Sequence, residues 1–106
     1  MLEVQDKGGK KLVFVKGEIN AQTGSELKKD VLALFESADS AVLSFKGVVY
    51  MNSSGLREII DLLKSSNKAK KNLMLCEMSS DIREMFTFTG LDKVFKIYDT
   101  QAQALG

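Results

Sequence analysis

The sequence predicts an α/β fold built on a mixed, mostly parallel β-sheet with an N-terminal β-hairpin and about four helices. Three observations lead there. Short apolar runs alternate with amphipathic helical stretches along the chain, the pattern of parallel strands joined by right-handed crossovers. A Gly-Gly turn separates the first two strand-like segments. The interior strand candidates read as continuous apolar runs, as strands covered on both faces do.

The elements follow in order. Met1 to Gln5 alternates weakly and reads as a short strand. Asp6-Lys7-Gly8-Gly9 is a turn signal, and Lys11 to Val15 (KLVFV), bounded by Gly17, completes a hairpin. Asn20 is placed to cap a helix running to about Ala38, with Leu27, Val31, Leu34 and Phe35 on one face and Glu26, Lys29 and Glu36 elsewhere. Ala41 to Phe45 (AVLSF) reads as a buried strand, and Val48 to Met51 continues apolar until Asn52-Ser53-Ser54-Gly55. A second amphipathic helix carries Leu56, Ile59, Ile60 and Leu63 on one face, with Arg57, Asp61, Lys64 and Lys68 off it. Asn72 to Cys76 (NLMLC) is another buried strand, which makes Cys76 a core thiol. Ser79 or Ser80 caps a third helix with Ile82, Met85 and Phe86 inward and Gly90 at its end. Lys93 to Tyr98 (KVFKIY) alternates as a last strand, and Asp99 caps a terminal helix containing Ala102 and Leu105.

Composition narrows the function. The 106 residues, 44% hydrophobic and 27% charged, fit one domain spanning 1–106. With no His, neither Ser-His-Asp nor Cys-His chemistry is available, nor an imidazole metal ligand. A single Cys cannot close an internal disulfide, which points to a reducing, cytoplasmic setting. Fifteen basic against 14 acidic residues give a net charge of +1, which argues against direct nucleic-acid binding. No apolar run approaches the ~20 residues of a membrane span. No cofactor is implied. The densest charge run holds Lys64, Lys68, Lys70 and Lys71 without an acid; it reads as a solvated helix end or as a patch for an acidic partner.

The chemically informative stretch is VVYMNSSGL, Val48 to Leu56, a strand passing through a tight polar turn into a helix N-terminus. Small polar side chains there accept hydrogen bonds from the unpaired first-turn amides, so Ser53 and Ser54 read either as N-caps or as exposed functional hydroxyls. Glu18 and Asn20 belong to a loop expected at the same end of the sheet. A serine nucleophile at Ser53 is disfavoured, since G-x-S-x-G is absent, and no P-loop pattern is present.

Three pieces in order carry a resemblance: Gly17-Glu18-Ile19-Asn20, Met51-Asn52-Ser53-Ser54-Gly55-Leu56, and Thr89-Gly90-Leu91-Asp92-Lys93-Val94-Phe95. They resemble G-[DE]-[IL]-D, D-S-[SA]-G-L and [LT]-x-G-L-x-K-[VI]-F of STAS domains, in the branch of bacterial anti-sigma-factor antagonists. The resemblance spans nearly the whole chain. It implies a non-enzymatic protein that binds an anti-sigma factor, often itself a serine kinase, and so frees a sigma factor. It further implies phosphorylation of the first serine of the turn by that kinase, loss of binding, and reversal by a serine phosphatase. In this chain that serine is Ser53, with Ser54 the second choice. The implied partner surface is Glu18, Asn20, Asn52, Ser53, Ser54, Gly55 and Arg57. The sequence departs from the family at Asn52, Asn20 and Ser44, each standing where Asp is common. The alternative reading is a STAS signalling or scaffold module that is not phosphorylated, within a stress-response or transporter-associated complex.

Overall fold

The structure is a computed structural model, and it describes residues 2–106. Five strands form one sheet in the order β1-β2-β3-β4-β5. β1 (Glu3–Lys7) and β2 (Lys10–Ile19) pair antiparallel; β3 (Ser40–Met51), β4 (Asn72–Cys76) and β5 (Lys96–Tyr98) add in parallel. The mixed, mostly parallel sheet and its hairpin are those the sequence predicts. β1 is shifted toward the turn relative to the expected Met1–Gln5, and Met1 lies outside the described residues. Gly8 and Gly9, at φ +60° and +87°, supply the two positive dihedrals of a two-residue type I′-like turn. Lys11 reaches Asp6 across the hairpin at 2.9 Å, and its hydrogen bond holds the Asp6 carboxyl below the usual range.

Four α-helices follow: α1 (Ala21–Leu34), α2 (Ser53–Lys68), α3 (Ser80–Phe88) and α4 (Gln101–Leu105). Strand alternation divides the core. Val13, Val15, Ala41, Leu43, Phe45, Leu73 and Leu75 meet Leu27 and Val31 of α1, Leu56, Ile59 and Leu62 of α2, and Ile82 and Phe86 of α3. The opposite set, Leu12, Val42, Met74 and Cys76, is covered by Ala104 of the short α4. Cys76 is buried, as expected of a core thiol.

Several boundaries differ from expectation. α1 ends at Leu34, one turn before Ala38. Leu34, Ile60 and Met85 are only half-buried, whereas Leu62 is fully buried. KVFKIY is not a continuous strand: Leu91–Lys93 is a 3₁₀ turn, and the amides of Val94 and Phe95 both bond to the Leu91 carbonyl. Those amides are spent on the turn, so pairing starts only at Lys96. Phe95 serves instead as an anchor, edge-on to Phe86 at 5.3 Å. α4 is capped by Thr100, not Asp99. Thr100 Oγ1 accepts from the Gln103 amide at 3.1 Å, and Gln103 Oε1 accepts from the Thr100 amide at 3.3 Å. Asp99 faces Arg83 at 3.6 Å, and within α4 Ala104 is buried.

Candidate functional site

The site is assembled where β2 and β3 end side by side. Ile19 pairs with Met51, and the Asn52 amide donates to the Ile19 carbonyl at 3.1 Å. The Glu18–Asn20 segment and the Asn52–Gly55 turn therefore lie together at the carboxyl end of the parallel strands, where open α/β sheets place their binding surfaces.

Each half of the site is held by its own cap. Asn20 Oδ1 accepts from the amides of Gln22 (3.0 Å) and Thr23 (2.9 Å), while Thr23 Oγ1 accepts from the Asn20 amide at 2.8 Å. Thr23 Oγ1 also lies 2.7 Å from the Glu18 carbonyl oxygen, to which it donates, and Asn20 Nδ2 donates to Glu18 Oε1 at 3.1 Å. The loop is thus locked from Glu18 through Thr23. Thr23 was not evident from the sequence; its signal is the N-cap/N3 spacing Asn-x-x-Thr.

On the other half, Asn52 is the N-cap of α2, and its Oδ1 accepts from the Gly55 amide at 2.8 Å. This corrects the reading of Ser53 and Ser54 as caps, because Asn52 already fills that role. Both serines are exposed in the first turn, and neither hydroxyl has a side-chain hydrogen bond among the described residues. Neither serine is therefore a cap, and both present their hydroxyls at the surface. Gly55 is buried: a Cβ there would lie 2.6 Å from the Ile19 carbonyl carbon and 3.0 Å from the Asn20 nitrogen. A glycine is required for the start of α2 to seat against the β2–α1 junction.

The electrostatics suit an added anion. The first turn of α2 carries no acidic residue, and its cap is neutral. The partial positive charge of the helix N-terminus is therefore not already neutralised there. Arg57 is exposed one turn further along. Glu58, next to it, is engaged by Lys28 of α1 at 3.1 Å. The structure thus brings together Glu18, Asn20, Asn52, Ser53, Ser54 and Gly55, with Arg57 one turn behind them.

The family departure at Ser44 also has a structural setting. Ser44 is 1% exposed and donates to Glu77 Oε1 at 2.8 Å; Gln101 Nε2 of α4 donates to the same oxygen at 2.9 Å. Glu77 sits in the left-handed region at φ 59°, where β4 ends. This network ties α4 to the sheet, and it was not legible from the sequence.

Comparison with known proteins places this geometry. The family model described as "STAS domain" matches residues 1–104. The anti-sigma F factor antagonist of Paenibacillus polymyxa is 26% identical over 98% of this chain and 91% of its own length. The anti-sigma-B factor antagonist of Listeria monocytogenes is 29% identical over 89% of this chain and 83% of its own. The crystal structure of an anti-sigma factor antagonist from Mycobacterium paratuberculosis superposes with a TM-score of 0.85 at 27% identity, covering 99% of this chain and 90% of that one. No helix among the described residues is long and apolar enough to cross a membrane.

Proposed function

Because the chain belongs to the STAS domain family, we propose that it is an anti-sigma-factor antagonist, residues 1–106 acting as one cytoplasmic unit. It binds an anti-sigma factor through the Glu18–Asn20 and Asn52–Arg57 surface and thereby frees a sigma factor. Phosphorylation of Ser53 by the anti-sigma factor's serine kinase activity ends binding, and a serine phosphatase restores it. The chain itself performs no catalysis. The observation that supports this reading most is the unengaged, exposed Ser53 hydroxyl at the start of a helix capped by a neutral side chain.

The switch follows from that placement. Phosphate adds roughly −1.5 to −2 charges and three acceptor oxygens. At the start of α2 the unpaired amides and helix dipole stabilise such an anion, so the fold persists. A partner surface packed on the turn instead meets a hydrated dianion. A hundredfold loss of affinity requires only about 2.7 kcal/mol. Binding is blocked locally, without rearrangement of the domain.

One observation favours a second reading. With Asn52 in place of Asp, the residue preceding Ser53 offers no carboxylate to engage a kinase's cationic groups. That favours an unphosphorylated scaffold module using the same surface. The two are separated by incubating the protein with ATP and a purified anti-sigma factor from the same organism, then measuring intact mass and affinity. Expected are one added phosphate on the wild type, none on Ser53→Ala, and weaker binding by Ser53→Asp. Unchanged mass together with undiminished binding by Ser53→Asp sinks the switch and leaves the scaffold.

A further inference from the structure

β3 outruns its neighbour. It continues to Met51, whereas β4 stops at Cys76, opposite Ser44. From Phe45 onward, β3 is paired with β2 alone. β4 cannot extend alongside it, because Glu77 turns the chain away at φ 59°. Among the described residues, no backbone hydrogen bond from the 77–79 segment or from α3 reaches residues 45–51. Successive strand residues direct their amides and carbonyls to alternate sides, so part of this stretch presents unpaired donors and acceptors outward. Such an edge is a template for another strand.

The side chains beside the edge are apolar and uncovered. Gly17 pairs with Val48 but Glu18 with Tyr50, so Val49 is the extra residue of a β-bulge. Val49 is 81% exposed and Tyr50 54%. They form one wall of a cleft whose other wall includes Ile82 and Met85 of α3. Asp81 is the only charged residue lining it, and no cation pairs with Asp81 among the described residues. A second copy joined edge to edge about a two-fold axis would bring another Asp81 into the same cleft, so charge disfavours self-pairing. A partner segment carrying Lys or Arg is complementary.

We infer that residues 45–51 of β3 accept an extended segment of the partner protein as an added strand. Backbone pairing supplies the register; apolar side chains of the segment fill the cleft between Val49, Tyr50 and Met85, and a basic residue meets Asp81. The inference rests on the partner-binding reading above, since β3 runs directly into the Asn52–Gly55 turn. A phosphate on Ser53 then stands at the end of the added strand.

The probe is a purified anti-sigma factor from the same organism. Hydrogen exchange of the unmodified protein is followed with and without it, alongside the affinities of Val49→Lys, Tyr50→Lys, Asp81→Lys and Ser53→Asp. Expected are at least tenfold slower exchange within residues 45–51 on binding, and at least tenfold weaker binding by each of the first three variants. Binding that Ser53→Asp abolishes, without protection of residues 45–51, overturns the added strand and leaves the antagonist reading intact. Protection of these residues in the protein alone, with a dimer in sedimentation, assigns the edge to a second copy and also overturns it. No binding of the factor by the wild type overturns both readings together.

Discussion

The start of α2 is pressed onto the end of β2 through Gly55 and Ile19: any Cβ on Gly55 would overlap the Ile19 carbonyl. Gly55→Ala is therefore expected to destabilise the fold by about 2 kcal/mol, overpacking against rigid backbone outweighing the ~1 kcal/mol helix-propensity gain. Gly24→Ala is the comparator. Its Cβ would lie 2.8 Å from Glu58 Cβ, so relief there requires a small separation of α1 and α2, whereas Gly55→Ala meets the β2 backbone itself. Urea denaturation of both variants should show a loss for each, the larger for Gly55→Ala. Equal stabilities would disprove the close seating of α2.

Asn52 does the capping that Ser53 and Ser54 were candidates for, which gives a second prediction. Asn52→Ala should cost about 1 kcal/mol, the usual worth of a cap. Asn52→Asp keeps the cap and adds a carboxylate at the positive end of α2, a gain of about 0.5 kcal/mol. The new carboxyl has a folded pKa below its unfolded value. Its gain is thus present above pH ~4 and lost as pH falls through the folded pKa. Thermal denaturation of both variants at pH 7 and pH 3 measures it. Ser53→Ala, which removes a hydroxyl with no side-chain hydrogen bond among the described residues, should leave stability within ~0.5 kcal/mol.

The contrast between Asn52 and its neighbours shows how far the sequence could be read. Leu27, Val31 and Phe35 announce the inner face of α1, because a helix buried on one side enforces a 3.6-residue period. Likewise NLMLC announces a strand covered on both faces, and the joint order of three short motifs locates the Ser53 turn. Competition between neighbours was not legible. Asn52, Ser53 and Ser54 have similar capping propensities, and only the path of the chain around Ile19 selects Asn52. KVFKIY alternates as a strand should, yet the Leu91 carbonyl takes the amides of Val94 and Phe95. The bulge at Val49 left no local trace either, since the register of β3 is fixed by β2, thirty residues away.

A third prediction concerns the buried Ser44. Here the buried Ser44 donates to Glu77, which a carboxylate cannot do. Ser44→Asp would set a buried carboxylate against the half-buried Glu77, at a cost of about 3 kcal/mol at pH 7. Repulsion and burial raise the folded pKa of the new group above its unfolded value near ~3.9. The penalty is then absent at pH ~3 and grows as pH rises toward 7. Adding Glu77→Gln should restore most of the lost stability, because the amide can donate to the new carboxylate. Failure of that rescue would show that Ser44→Asp acts by volume alone.

The last prediction uses Cys76, buried beneath α4 with Leu12, Val42 and Met74. Burial, with a smaller contribution from the neighbouring Glu77 charge, raises its thiol from the ordinary 9.0 to about 11. A neutral thiol is a poor nucleophile, so a disulfide reagent at pH 8 should modify Cys76 only as fast as the protein opens. Between pH 9 and 11 the unfolded chain loses the thiol proton while the folded chain keeps it. The folded state then binds more protons, and stability falls as pH rises through that window. Lysines and tyrosines titrate there too, so the informative quantity is the difference from Cys76→Ala, whose stability should fall less steeply over the same range. Because Gln101 anchors α4 to Glu77, Gln101→Ala should speed modification of Cys76 severalfold while barely moving the global denaturation midpoint. Such a result identifies α4 as the cover that opens first; equal labelling rates in both proteins would mean that Cys76 is reached only by global unfolding.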